Sequence, residues 1–214
     1  MARPNTRTRI LVTSLVMFNE HGEANTTTND IADETDISPG NLHYHFRKKS
    51  DLVDALIAEF QADVREVLQP PGQDESAQDS AIDEFWGFVQ LLIEVLAAYR
   101  FLIRDTETMV ERYPQVAKAI RGFATALLAT IELHIDNLSN QGIIDIPDSD
   151  IEELSRSIAT AALFSQRFDS ILGEEVSIED AAARLNGAAI SLLLPYAKAE
   201  AAEPLYALLA HYRQ

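Results

Sequence analysis

The 214 residues contain no cysteine. That excludes disulfides, thiolate nucleophiles and thiolate metal sites, and it suits the reducing cytoplasm that is the expected location. Glycine and proline are sparse, at eight each, and long stretches run without either, which favours helices over a turn-rich β fold. No segment approaches the ~20 consecutive apolar residues of a membrane span, so no membrane partner is expected. The apolar run 10–18 behind Arg3, Arg7 and Arg9 imitates a signal peptide. Thr13 and Ser14 interrupt that run, and Glu20-His21-Gly22 follows without a small-x-small cleavage pattern.

Catalytic signatures are missing too. The residues three before each histidine are Phe18, Gly40, Leu42, Ile131 and Leu208, so no Glu-x-x-His pair of a di-iron carboxylate protein exists. No Gly-Lys phosphate loop, His-Glu-x-x-His or nucleophile elbow is found. His43 and His45, two residues apart on a helix, diverge by about 200° and cannot share a metal. Neither an enzyme nor a cofactor is expected.

The net charge of -17 argues against nucleic acid only until its distribution is considered. Residues 1–50 hold six basic and six acidic side chains. The remaining 164 hold eleven and twenty-eight. A neutral head with clustered cations thus precedes an acidic body that DNA would repel, which leaves the head to dock.

The periodicity predicts an all-α chain. A first helix over about 6–21 carries Ile10, Leu11, Ser14, Met17 and Phe18 on one stripe, and Gly22 stops it. Thr26-Thr27-Thr28-Asn29 offers N-caps for a short helix to about Glu34. Thr35-Asp36-Ile37 makes a tight turn in which Asp36 can take the left-handed conformation. Ser38 caps a third helix with Pro39 at its first position, ending near Phe46. A fourth helix over 51–68 repeats Leu52, Leu56 and Phe60, and the Pro/Gly-containing segment 69–80 reads as a linker. Helices follow over about 80–104, 105–113, 114–140, 149–172, 177–199 and 202–213, with Pro195 ending or kinking one near Leu194. The expected division is a DNA-binding head at 1–50 with the connecting helix 51–68, then a larger ligand-binding and dimerisation domain at 69–214.

Three short helices within about 46 residues, the second and third joined by a tight turn, are the helix-turn-helix layout. On the third helix Leu42 and Phe46 point inward, while Gly40, Asn41, Tyr44, Arg47 and Lys48 fan outward. Gly40 lets the backbone approach a duplex closely. Asn41 can read a base edge, adenine best. Tyr44 can donate to a phosphate while its ring packs on sugar or a thymine methyl. Arg47, Lys48 and Lys49 supply phosphate charge, and Thr27 or Thr28 can bind phosphate beside the free N–H groups of the second helix.

Asp30-Ile31-Ala32, then Ile37-Ser38-Pro39-Gly40-Asn41-Leu42-His43-Tyr44-His45-Phe46, then Lys49-Ser50-Asp51-Leu52 resembles the head of the TetR family of bacterial transcription factors. That family reads Ile-Ala, a turn, Val-Ser-x-Gly-x-Leu-Tyr-x-His-Phe, and Lys-x-x-Leu. The resemblance covers roughly residues 7–56. Asp36 stands where the family often has glycine, and His43 replaces the usual tyrosine while still able to bond phosphate. The resemblance implies a DNA-binding site over Thr27, Thr28, Ser38, Pro39, Gly40, Asn41, His43, Tyr44, His45, Arg47, Lys48 and Lys49. Within it, Tyr44 and His45 contact the backbone, Lys49 anchors a phosphate and Thr28 caps the second helix. It further implies a homodimer on a palindromic operator in double-stranded DNA, most simply a repressor released by a small-molecule effector. An interaction module that no longer binds DNA and a regulator without a ligand are the alternatives.

For the acidic body the expectations are broader. Small residues at Ile158-Ala159-Thr160-Ala161-Ala162, Ala181-Ala182-Ala183 and Gly187-Ala188-Ala189 suit close helix approach in a four-helix dimer interface. Close packing inside one subunit is the other reading. Trp86, Tyr99, Phe123, Phe164 and Phe168, with polar Arg100, Arg104 and His134, are candidates to line an effector pocket. An arginine facing inward would favour an anionic or carboxylate effector.

Overall fold

The computed structural model describes residues 5–72 and 81–212. It is all-α, with α1 (Thr6–His21), α2 (Thr28–Glu34), α3 (Pro39–His45), α4 (Lys49–Val67), α5 (Ala81–Ala98), α6 (Arg100–Arg104), α7 (Thr106–Arg112), α8 (Pro114–Asn140), α9 (Asp148–Leu172), α10 (Ile178–Leu193) and α11 (Ala199–His211). A 3₁₀ turn over Leu194–Tyr196 carries Pro195. The one β contact among the described residues is an isolated bridge between Ile144 and Ala197. None of the described helices is long and apolar enough to cross a membrane. Of the expected linker 69–80, residues 73–80 lie outside the described residues.

The chain packs as two compact units. The first joins Met1–Asp63 to Ala98–Arg121, and the second joins Val64–Ala97 to Gly122–Gln214. Division by packing therefore differs from the functional division expected near residue 69, because the first unit also takes in 98–121.

In the first unit, Asn5 caps α1 by accepting from the Thr8 N–H at 2.8 Å. The stripe of Ile10, Leu11, Ser14 and Phe18 is buried, and the Ser14 hydroxyl donates to the Ile10 carbonyl at 2.7 Å. The chain leaves α1 at Gly22 with φ of 85°, a conformation side chains with a Cβ rarely adopt. From α4, Leu52, Val53, Leu56, Ile57 and Phe60 complete this core.

The long helix expected over 80–104 is broken at Tyr99, without glycine or proline at the break. Asn19 supplies what a breaker residue would have supplied. Its side-chain amide donates to the Ala98 carbonyl at 2.8 Å, the end of α5. Its side-chain oxygen accepts from the Phe101 N–H at 3.1 Å, at the start of α6. One carboxamide thus serves one group from each side of the break. Tyr99 turns to donate its hydroxyl to Asp63 at 2.7 Å, and its ring packs edge-on to Phe60 at 5.4 Å. Burial and the neighbouring Asp63 carboxylate push the phenol pKa well up.

The second unit buries Ala81, Phe85, Phe88, Val89, Leu92, Ile93 and Leu96 from α5. The Gln141 side chain accepts from the Ala81 N–H at 3.0 Å, satisfying an end group of α5 from afar. α9 and α10 pack on each other. Of their small residues, Ala159, Ala162, Ala181, Ala182 and Ala189 are buried inside the single chain, whereas Thr160 is exposed and Ala161, Ala183 and Ala188 are half-buried. A Cβ on Gly187 would meet Tyr212 at the α11 end in ordinary contact, at 3.6 Å. At the α9–α10 turn, Arg184 donates to Asp169 and to Glu174, both at 2.8 Å.

Candidate DNA-binding interface

The turn between α2 and α3 is closed by local chemistry. Thr27 rather than Thr28 is the cap of α2. Its hydroxyl accepts from the Asp30 N–H at 3.2 Å, while its own N–H donates to the Asp30 carboxylate at 2.7 Å, a reciprocal box. These bonds hold the Asp30 carboxyl below the usual carboxylate range. Thr28 is the first helical residue and is half-buried. Asp36 has φ of 56°, the one non-glycine residue with positive φ among those described. Arg9 of α1 reaches across to donate to the Thr35 carbonyl, fixing the end of α2.

α3 starts as its sequence demands. The Ser38 hydroxyl accepts from the Asn41 N–H at 3.2 Å and Pro39 occupies the first turn. Leu42 and Phe46 are buried, and Arg7 of α1 lies over the Phe46 ring at 4.9 Å. The other face is open: Ser38, Pro39, Gly40, Asn41, His43 and Tyr44 are exposed, as are Arg47 and Lys48 beyond it. Tyr44 is 84% exposed, and its ring meets the half-buried His45 edge-on at 5.2 Å. A Cβ on Gly40 would find only the Ser38 hydroxyl oxygen, at 4.0 Å. Packing within the chain therefore does not require glycine there.

Lys49 stands apart from this exposed set. Its ammonium lies 2.7 Å from the Glu23 carboxylate and also donates to the Glu23 carbonyl. Glu23, only 1% exposed, accepts in addition from Arg112 at 2.7 Å and from the Tyr113 hydroxyl at 2.6 Å. Burial, reinforced by the Glu23 carboxylate, pushes the Tyr113 phenol pKa far up. Nothing in the sequence separates Glu23 from the other acids of the head, because its partners Arg112 and Tyr113 lie about ninety residues away.

The effector-pocket candidates are divided between the two units. Arg104 donates to the α1 carbonyls of Asn19 at 2.7 Å and Phe18 at 3.0 Å, and to Asp105 at 2.9 and 2.8 Å. Arg100 donates to the Asn19 carbonyl at 3.2 Å. Both guanidinium groups thus satisfy the carboxyl end of α1, and with Tyr99 they belong to the first unit. Phe164 and Phe168 are exposed on α9, at 52% and 61%. Phe123 is buried in the second unit. Trp86 and His134 do come together: both rings meet Phe85, at 5.2 and 5.7 Å, and His134 stacks on Phe88 at 4.7 Å. The indole Nε1 and the imidazole Nδ1 are buried without a hydrogen-bond partner. Burial lowers the His134 pKa from 6.5 to about 4, so the ring is neutral near pH 7. Beside them lies a cavity of about 10 Å³ lined by apolar side chains that include Phe85, Trp86, Leu138 and Leu205.

The capped, proline-started helix buries Leu42 and Phe46 and turns glycine, an amide and hydroxyls outward beside two cations, the layout of a helix-turn-helix reading helix. The first unit therefore carries the reading head of a helix-turn-helix DNA-binding regulator. Comparison with known proteins gives the same class. Residues 10–56 match the family described as "Bacterial regulatory proteins, tetR family", and residues 59–205 match the family described as "Bacterial transcriptional repressor". The crystal structure of a TetR-family transcriptional regulator from Marinobacter aquaeolei VT8 is 29% identical. It aligns over 99% of this chain and 100% of that one, with a TM-score of 0.87. A probable acrEF/envCD operon repressor of Escherichia coli K12 is 34% identical over 64 residues, 30% of this chain and 29% of that protein. The chain thus spans under a third of that curated relative's length. The HTH-type transcriptional repressor KstR2 of Rhodococcus jostii RHA1 is 23% identical over 65% of this chain and 70% of its own. The chain belongs to the TetR family of bacterial transcriptional regulators.

Proposed function

We propose that this regulator is a homodimeric repressor that holds a palindromic operator and lets it go when a small molecule binds its second unit. The observation that carries the reading is the outward face of α3, where Gly40, Asn41, His43 and Tyr44 lie open beside Arg47 and Lys48. Asn41 and Tyr44 read bases and the adjoining backbone. Ser38, Thr27, Thr28 and His43 serve phosphates, and Arg47 and Lys48 neutralise them. Two such heads related by a two-fold axis read half-sites about one helical turn apart, or a multiple of that.

Dimerisation is assigned to α9 and α10, but through their large outward residues rather than their small ones. Phe164, Phe168, Ile171 and Leu172 recur along one side of α9 and are all exposed, as is Ile178 of α10. A stripe of that length is what a helix-pair interface with a second copy would bury. The effector is assigned to the space around Phe85, where the unsatisfied nitrogens of Trp86 and His134 offer hydrogen bonds in an apolar setting. Neutral His134, and arginines occupied with α1, favour an uncharged apolar effector over the carboxylate considered from sequence. A cavity of about 10 Å³ holds at most one water, so binding must open it. A ligand that prefers the opened state shifts the population of the whole regulator.

The test is selection of a random duplex library on the purified protein, followed by sequencing of the retained fraction. Enrichment of an inverted repeat is expected. Retention without sequence preference, or none at low salt, would refute the reading.

A further inference from the structure

The family pattern makes the lysine at the start of α4 a phosphate anchor, but the bonding of this chain's Lys49 points to a different use. A lysine ammonium has three N–H groups. Two are directed at Glu23, one to the carboxylate at 2.7 Å and one to the backbone carbonyl. The Lys49 side chain is 22% exposed and its ammonium lies 5.8 Å from the Phe18 ring centre. Asp30 adds a further negative charge that interacts with it.

Glu23 cannot spare this partner easily. One carboxylate oxygen takes Lys49 and the Tyr113 hydroxyl, and the other takes Arg112. A carboxylate 1% exposed has exchanged nearly all of its hydration for these three donors. Moving Lys49 to a phosphate would leave the buried charge with a single cation, Arg112. Arg47 and Lys48, two and one residues earlier, are exposed and have no carboxylate partner of this kind among the described salt bridges.

We propose that Glu23 is a positioning residue that withholds Lys49 from DNA. It uses the lysine to tie the start of α4 and the α1–α2 turn to Arg112 and Tyr113 at the end of α7. The phosphate charge of the head then comes from Arg47 and Lys48. Any displacement of α7 acts on the reading helices through the Glu23 carboxylate. The assignment rests on DNA binding by this head, but not on the operator or the effector.

A short random-sequence duplex suffices as the probe, with affinity measured by fluorescence anisotropy between about 50 and 200 mM salt, because each neutralised phosphate contributes about -0.9 to the slope of log K against log salt. Lys48→Ala is expected to make the slope about 0.9 shallower per protomer, whereas Lys49→Ala leaves it unchanged. Glu23→Gln frees Lys49 and steepens the slope by about 0.9, an extra loss of about 3.5-fold in affinity across that salt range. Glu23→Gln combined with Lys49→Ala returns it to the wild-type value. A merely structural role would weaken binding at every salt concentration without steepening the slope. If Glu23→Gln does not fold, the comparison of Lys48→Ala with Lys49→Ala decides alone. Equal loss of slope in those two variants overturns the assignment. Failure of the wild-type protein to bind the duplex at any salt overturns it together with the DNA-binding head; binding with a Lys49-dependent slope overturns the assignment only.

Discussion

Replacing His134 with phenylalanine should flatten the acid limb of the stability curve. The imidazole is 3% exposed, stacked on Phe88 and edge-on to Phe85, and burial lowers its pKa from 6.5 to about 4. The folded protein therefore refuses a proton that the unfolded chain accepts. Its stabilising contribution is complete above pH 6.5 and is lost as the pH falls towards 4. The full displacement corresponds to about 3 kcal/mol, of which about 2 kcal/mol is gone by pH 5. Phenylalanine keeps a ring of similar size in the same aromatic cage and removes an unpartnered nitrogen, so at pH 7.5 the variant should match or slightly exceed wild type. Urea unfolding followed by circular dichroism, at fixed protein concentration and ionic strength from pH 7.5 to 4.5, reads the difference directly. Carboxylates common to both proteins cancel in that difference. Parallel pH profiles for wild type and His134→Phe would show that burial of the imidazole does not limit stability in acid.

Three further expectations follow from geometry already described. Asp36→Gly relieves an L-residue held at φ of 56° and should stabilise by about 0.5–1 kcal/mol in thermal melts; a loss of stability would show that the Asp36 side chain contributes more than its backbone costs. Gly40→Ala meets only the Ser38 oxygen at 4.0 Å and should gain up to about 1 kcal/mol of helix stability while weakening operator binding at least tenfold; unchanged binding would remove the close approach assigned to α3. Phe168→Glu places a charge on the exposed stripe of α9 and should convert dimer to monomer in sedimentation velocity while the helical spectrum stays intact. A persistent dimer would move the interface elsewhere.

How much of this was legible beforehand depends on how far apart the cooperating residues lie. Ser38-Pro39, Gly22 and Asp36 act within a turn of themselves, so the start of α3, the end of α1 and the left-handed corner could be read directly. The exposed and buried sides of α3 followed from its period alone. The residues left several cap candidates for α2, Thr27 among them, and the family pattern pointed to Thr28; adjacent threonines offer the same hydroxyl, and the reciprocal bond with Asp30 decides for Thr27. The small residues of α9 and α10 were correctly read as close-approach positions, but composition does not say whether the approaching helix belongs to the same chain. Lys49 was read beside Arg47 and Lys48 and from the family pattern, and neither discloses its ion-pair partner Glu23, 26 positions earlier. Arg104 and Arg100 likewise found partners more than eighty positions away.

The break at Tyr99 belongs with these distant effects, and it has a consequence of its own. The segment 88–104 contains neither proline nor glycine, and its interruption is maintained by the carboxamide of Asn19. By itself the segment is written as one rod; inside the folded protein it is two. The joint is therefore written not in the segment itself but in a side chain of α1 about eighty positions earlier.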